Sequence, residues 1–115
     1  MELGELSANV QAFTEERDWA QFHTVRSLIL SIQSELGELA EVVQWVPDAQ
    51  LTDDWVESHR GRLEEEVADV FIYLIRLSQV LNVDLIKVAE EKMQQNAIKY
   101  PVEKARGRAD KYTEL

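Results

Sequence analysis

Apolar residues fall at steps of three and four from the start of the chain. Leu3, Leu6, Val10 and Phe13 form one stripe, which predicts a helix over about residues 2–17. The run ERDWAQFH breaks that spacing. Thr24 then stands where an N-cap is wanted, ahead of a second stripe of Val25, Leu28, Ile29, Ile32, Leu36, Leu39 and Val43, and Pro47 stops this helix near Trp45. The stretch VPDAQLTDD is turn-like, and Thr52 or Asp53 can cap a third helix that runs to about Leu81. Its unbroken VFIYLI segment predicts the central and most covered helix. Asp84 caps a fourth, from about Leu85 to Ile98, which Tyr100-Pro101 terminates. Four helices with short connections predict an all-α, four-helix bundle. A bundle of this size leaves part of the third helix uncovered, so assembly as an oligomer is expected.

The chain has 115 residues, enough for one domain with a core and too few for two. Residues 1–101 are expected to form the helical domain and residues 102–115 a polar tail. Lys104, Arg106, Arg108 and Lys111 gather in that tail, either as a solvated end or as an anion-binding patch. Overall, 22 acidic side chains against 12 basic ones give a formal charge of -10, which speaks against a nucleic acid polymer as partner. A small phosphorylated ligand remains compatible with such a surface if divalent cations bridge carboxylates to phosphates. There is no cysteine, which removes disulfides, thiolate zinc sites and cysteine nucleophiles. The start MELGELSANV lacks a basic, apolar leader, and no stretch approaches the roughly 20 apolar residues that span a bilayer. The expectation is a cytoplasmic protein with no membrane partner.

Two pairs of acids change the picture. Leu28, Glu35 and Val42 are spaced by seven, so they lie along one line of helix two, and Glu35 interrupts an apolar stripe. Glu38, three residues on, shares that face. Glu66 and Asp69 repeat the arrangement on helix three, alongside Leu63, Val70 and Tyr73. Either pair alone reads most readily as a solvated helix face. Four carboxylates converging between packed helices, by contrast, would lose hydration and repel one another, which demands raised pKa values or a cation. An all-oxygen donor set suits Mg2+, with Mn2+ as a substitute. The Glu-x-x-His pairs of di-iron bundles are missing, and His23 and His59 stand outside both motifs. Gly37, between the first two acids, costs a helix interior about 1 kcal/mol relative to alanine. A close approach by backbone, metal or phosphate would account for it, as would helix packing.

Glu35-x-x-Glu38 followed after 27 residues by Glu66-x-x-Asp69 resembles the paired ExxE and ExxD signature of the MazG-like nucleotide pyrophosphohydrolases. The likeness extends to FTEERDWAQFH, GELAEVVQW, EEEVADVFIYLIRL, KMQQNAIKYPVEKARG and KYTEL, which resemble the dCTP pyrophosphatase branch. It implies that Glu35, Glu38, Glu66 and Asp69 bind Mg2+ and serve catalysis. It further implies hydrolysis of a nucleoside triphosphate between the α and β phosphates by water, yielding monophosphate and pyrophosphate, in a nucleotide-pool cleaning role. Trp19 and Trp45 match an aromatic base pocket, against which core packing is the plainer reading of each. Tyr73, Asn96, Lys92 and His23 match positions that touch or border the nucleotide. The family also implies a homo-tetramer built as a dimer of dimers. One departure stands out: mammalian members carry a histidine where this chain has Val10, and valine forms no hydrogen bond to a base, so strict cytosine preference does not follow. Competing readings are the same fold acting on dUTP or phosphoribosyl-ATP, and a non-catalytic helical oligomer.

Overall fold

The structure, a computed structural model, describes residues 1–115. It is all-helical and contains no strand. Six α-helices follow in order: α1 Leu3–Glu16, α2 Val25–Val43, α3 Asp53–Ser58, α4 Arg60–Val80, α5 Leu85–Lys99 and α6 Val102–Ala105. Short 3-10 turns lie at Ala20–Phe22, Asp48–Gln50 and Tyr112–Glu114. The four long helices match the four expected from the apolar stripes. No helix is long and apolar enough to cross a membrane.

Residues Met1–Asn82 form one unit and Val83–Leu115 a second. In the first, α2 packs along α4, with α1 and the short α3 also against α4. Leu28, Val42 and Ile75 are its buried apolar residues, and Leu28 and Ile75 are only 1% exposed. The 28–35–42 line of α2 is thus the face turned to α4, which carries Glu35 inward with it. Thr24 caps α2 as expected: its hydroxyl accepts from the Ser27 backbone N–H at 3.1 Å. Ser27 reciprocates, accepting from the Thr24 N–H at 3.0 Å while donating to the Phe22 carbonyl at 2.7 Å. That knot fixes the loop from Trp19 to Thr24 onto the start of α2.

The third expected helix is two. Thr52 caps it as anticipated, accepting from the Trp55 N–H at 3.2 Å, but the chain breaks at His59 (φ -112°, ψ 9°). Ser58 donates its hydroxyl to the Trp55 carbonyl at 2.9 Å, and the His59 ring stacks on Trp55 with centroids 4.0 Å apart. The Trp55 carbonyl also keeps its ladder bond from the His59 N–H at 3.1 Å, so three donors crowd the last turn of α3, which ends one residue before α4 begins.

In the second unit Asp84 caps α5, accepting from the Lys87 N–H at 3.1 Å. The polar tail has structure of its own. Tyr112 meets Tyr100 edge-on with centroids 6.0 Å apart, the Lys99 ammonium sits 4.9 Å from the Tyr112 ring, and Arg108 pairs with Asp110 at 2.8 Å.

Candidate active site

α2 and α4 present their acids to each other. Glu35, Glu38 and Glu66 each offer a carboxylate oxygen within 4.8 Å of the others. Asp69 stands outside that triad but acts on it, since its charge raises the pKa of both Glu35 and Glu66. Burial is the first cause of the Glu35 shift, from an ordinary 4.5 to about 7, followed by the carboxyl of Glu38. Glu66 is raised for the same leading reasons, lost hydration and then Glu38. One oxygen of Glu35 and one of Glu66 are buried with no hydrogen-bond partner at all.

Two buried, orphaned carboxylate oxygens are rare in a folded protein and costly to keep. Protonation relieves the strain of the cluster only in part, because it leaves the remaining carboxylates crowded. A hard divalent cation bound by Glu35, Glu38 and Glu66, with Asp69 in reach of its charge, satisfies both oxygens at once. The residues present therefore fit a divalent metal site made wholly of oxygen ligands.

Beside the acids lies a cavity of about 410 Å³, bordered by Glu35, Asp69, Tyr73, Trp19 and His23 among others. That volume falls within the range of small-molecule sites. Trp19 is placed by the end of α1: Asp18 adopts a left-handed φ of 53°, which turns the chain so that the Trp19 N–H donates back to the Thr14 carbonyl at 3.0 Å. Its ring meets Phe13 edge-on with centroids 5.7 Å apart. Burial and then the Arg76 guanidinium hold His23 below its ordinary pKa, and the neutral ring accepts a hydrogen bond from Arg76.

The structure thus brings together seven of the ten residues singled out from sequence as the site: the triad Glu35, Glu38 and Glu66, with Asp69, and Trp19, His23 and Tyr73 on the cavity. Trp45 lies beyond the end of α2 and is 85% exposed, outside this cavity. Lys92 and Asn96 sit on α5 in the second unit, the first exposed and the second half-buried. Gly37 has open space around it: an added Cβ would meet nothing within 4 Å, so no packing within the chain accounts for it. Sequence reasoning passed over Arg76, Asn9, Thr14 and Ile72 as site residues, while Val10, singled out as a departure from the family, and Phe13 of the first stripe line the cavity with them. A signal for Arg76 existed, since it follows Asp69 by seven and so shares its side of α4.

The model of the MazG-like family matches residues 30–115. The chain belongs to the MazG-like family. It is 46% identical over 104 residues to dCTP pyrophosphatase 1 of Rattus norvegicus and 44% identical over 104 residues to that of Homo sapiens, 90% of this chain in each case. The match covers 61% of each of those proteins, so the chain spans about three fifths of their length. Among solved structures, a pyrophosphatase from Archaeoglobus fulgidus superposes with a TM-score of 0.82 at 36% identity, covering 86% of this chain and 92% of that one.

Proposed function

We propose that the protein hydrolyses a nucleoside triphosphate, dCTP or a modified dCTP, to the monophosphate and pyrophosphate with Mg2+ as its cation. The observation that carries this reading is the pair of orphaned oxygens on Glu35 and Glu66, set beside an aromatic-walled cavity of nucleoside size. The kinship with dCTP pyrophosphatases supports it.

In this reading Glu35, Glu38, Glu66 and Asp69 hold the metal. When bound, the cation would neutralise phosphate oxygens and make a coordinated water more acidic. The protein's own part is geometric and protonic. The α2 and α4 carboxylates fix the triphosphate end, and Trp19 offers a face on which a planar base stacks. A carboxylate of the cluster not consumed as a ligand takes the proton as the water oxygen bonds to phosphorus and the α–β bridging bond breaks. Tyr73 offers a hydroxyl to the sugar or base. Trp45, Lys92 and Asn96 are assigned to nucleotide contact on the family resemblance alone, and residues 1–101 to the domain.

We also propose assembly as a homo-tetramer in the cytoplasm. Val67, Phe71 and Leu74 on α4 and Trp45 after α2 are all exposed in the single chain, more apolar surface than a solitary small domain leaves in water. Light scattering coupled to size exclusion should return four copies, and a monomer would count against it.

The decisive experiment for function is pyrophosphate release from a panel of dNTPs, NTPs and 5-modified dCTPs, with Mg2+ and with EDTA. Metal-dependent release in one step, favouring the cytosine nucleotides, is the expected result. Stepwise orthophosphate release would contradict the mechanism. Val10 on the cavity wall, which has no polar group for a base, gives a second reading some support: the same chemistry on another nucleotide such as dUTP or phosphoribosyl-ATP. Silence across the panel would leave a non-catalytic helical oligomer.

A further inference from the structure

Two turns along α4 from Asp69, a buried cation borders the same cavity. Arg76 is 9% exposed. Its Nε donates to His23 Nδ1 at 2.9 Å, and Nη1 donates to Gln79 Oε1 at 2.8 Å. Gln79 in turn donates through Nε2 to the carbonyl and hydroxyl oxygens of Ser7, at 2.7 and 2.8 Å, which ties the group to α1. Every one of these acceptors is neutral. None of the four ion pairs in the chain includes Arg76.

A guanidinium carries five N–H donors, and two of them are used within the chain. Three remain, on Nη1 and Nη2. Burying a charge with spare donors and no paired carboxylate is expensive, and a neutral amide could tether His23 and Gln79 at lower cost. The spare donors border the cavity and are free to take an acceptor that comes with a ligand. The cavity wall also carries Asn9, Thr14, Asp69 and Tyr73, but the guanidinium donates to none of them. His23 adds to the donor side: because Nδ1 accepts from Arg76, the neutral ring carries its hydrogen on Nε2.

We propose that Arg76 is a specificity-determining residue that reads the base, its free N–H groups donating to the adjacent O2 and N3 acceptors of a cytosine ring, and that it holds His23 in the Nε2–H form as a second donor. Uracil and thymine present N3–H at that edge and would set donor against donor. The inference rests on the nucleotide reading of the cavity and assigns its base preference to a residue of α4.

The test compares kcat/KM for dCTP, dUTP, N3-methyl-dCTP and base-less 2-deoxyribose 5-triphosphate on the wild type, Arg76→Lys and Arg76→Met. N3-methyl-dCTP has lost the N3 acceptor and carries a positive charge at neutral pH. The wild type should disfavour dUTP and N3-methyl-dCTP by roughly ten- to a hundredfold relative to dCTP. Arg76→Met should lose dCTP turnover by a similar factor, mainly through KM, while the base-less triphosphate changes by no more than about twofold. Equal losses on dCTP and the base-less substrate, at unchanged melting temperature, would overturn the inference by assigning the guanidinium to the phosphates or to the scaffold. If Arg76→Met does not fold, Arg76→Lys and the wild-type comparison still decide: a wild type that accepts N3-methyl-dCTP as well as dCTP overturns it. A wild type silent on every substrate would instead remove the nucleotide reading itself.

Discussion

The cavity has a negative end and a positive end, about 10 Å apart along α4 if Asp69 and Arg76 mark them. At one end Glu35, Glu38 and Glu66 crowd together with two oxygens left without partners. At the other, Arg76, His23, Gln79 and Ser7 form a connected chain of hydrogen bonds. Simple charge attraction would send a triphosphate to the arginine. The proposed function sends it to the acids, because a divalent cation reverses the sign of that end. The negative end awaits a cation, and the positive end is held in place by its own hydrogen bonds with donors to spare.

The largest expected effect comes from removing acids at the end that awaits a cation. Glu38→Ala and Asp69→Ala should each abolish pyrophosphate release and leave the fold intact, since each substitution relieves repulsion in the metal-free cluster. Circular dichroism and a melting temperature equal to or above that of the wild type in EDTA are the accompanying observations. Retained turnover in either variant would mean that the negative end is not where the phosphates sit.

A smaller effect separates the two ends by pH. Between 4.5 and about 7 the native Glu35 keeps a proton that the unfolded chain has released, so this group makes the metal-free protein less stable as pH rises through that window. His23 has the opposite sign. Its pKa is lowered from 6.5, so below 6.5 the unfolded chain takes up a proton that the native ring resists, and stability falls on acidification. In EDTA the wild type should lose roughly five degrees of melting temperature between pH 5 and pH 8. Glu35→Gln should abolish most of that loss, and Mg2+ should restore it at pH 8 but not at pH 5. A melting temperature in EDTA that rises steadily from pH 5 to pH 8 would show that the strain assigned to Glu35 is absent.

The negative end was legible in the sequence because its logic is local. Leu28, Glu35 and Val42 share a line of α2 by spacing alone, and burial of Leu28 and Val42 on either side of Glu35 follows from that line. Caps at Thr24, Thr52 and Asp84 were readable for the same reason: each is a contact over three residues. The positive end depends on contacts across 53 and 72 positions, which no periodicity announces. Spacing places Arg76 on the Asp69 side of α4 but says nothing of its partner His23. The break at His59 was hidden differently, since the residues around it are compatible with a helix and the side chains of Ser58 and His59 turn back onto the Trp55 carbonyl beside its own ladder bond. Trp45 shows the limit of matching positions to a family, because its 85% exposure leaves its role to something outside the single chain.

The smallest effect tests whether the negative end is complete within one chain. Gly37 lies between Glu35 and Glu38 inside α2, where glycine costs about 1 kcal/mol relative to alanine. An added Cβ meets nothing within 4 Å. In the metal-free protein, at fixed concentration, Gly37→Ala should therefore stabilise by about 1 kcal/mol in urea unfolding. Nothing within the chain offsets the cost of the glycine, and an approach to that turn of helix by a phosphate, a hydrated cation or a second copy would account for it. Turnover should then fall in the same variant that gains stability, with KM rising if the phosphates are crowded. Higher stability with unchanged turnover and unchanged oligomeric state would make Gly37 neutral, and the acids alone would define the negative end.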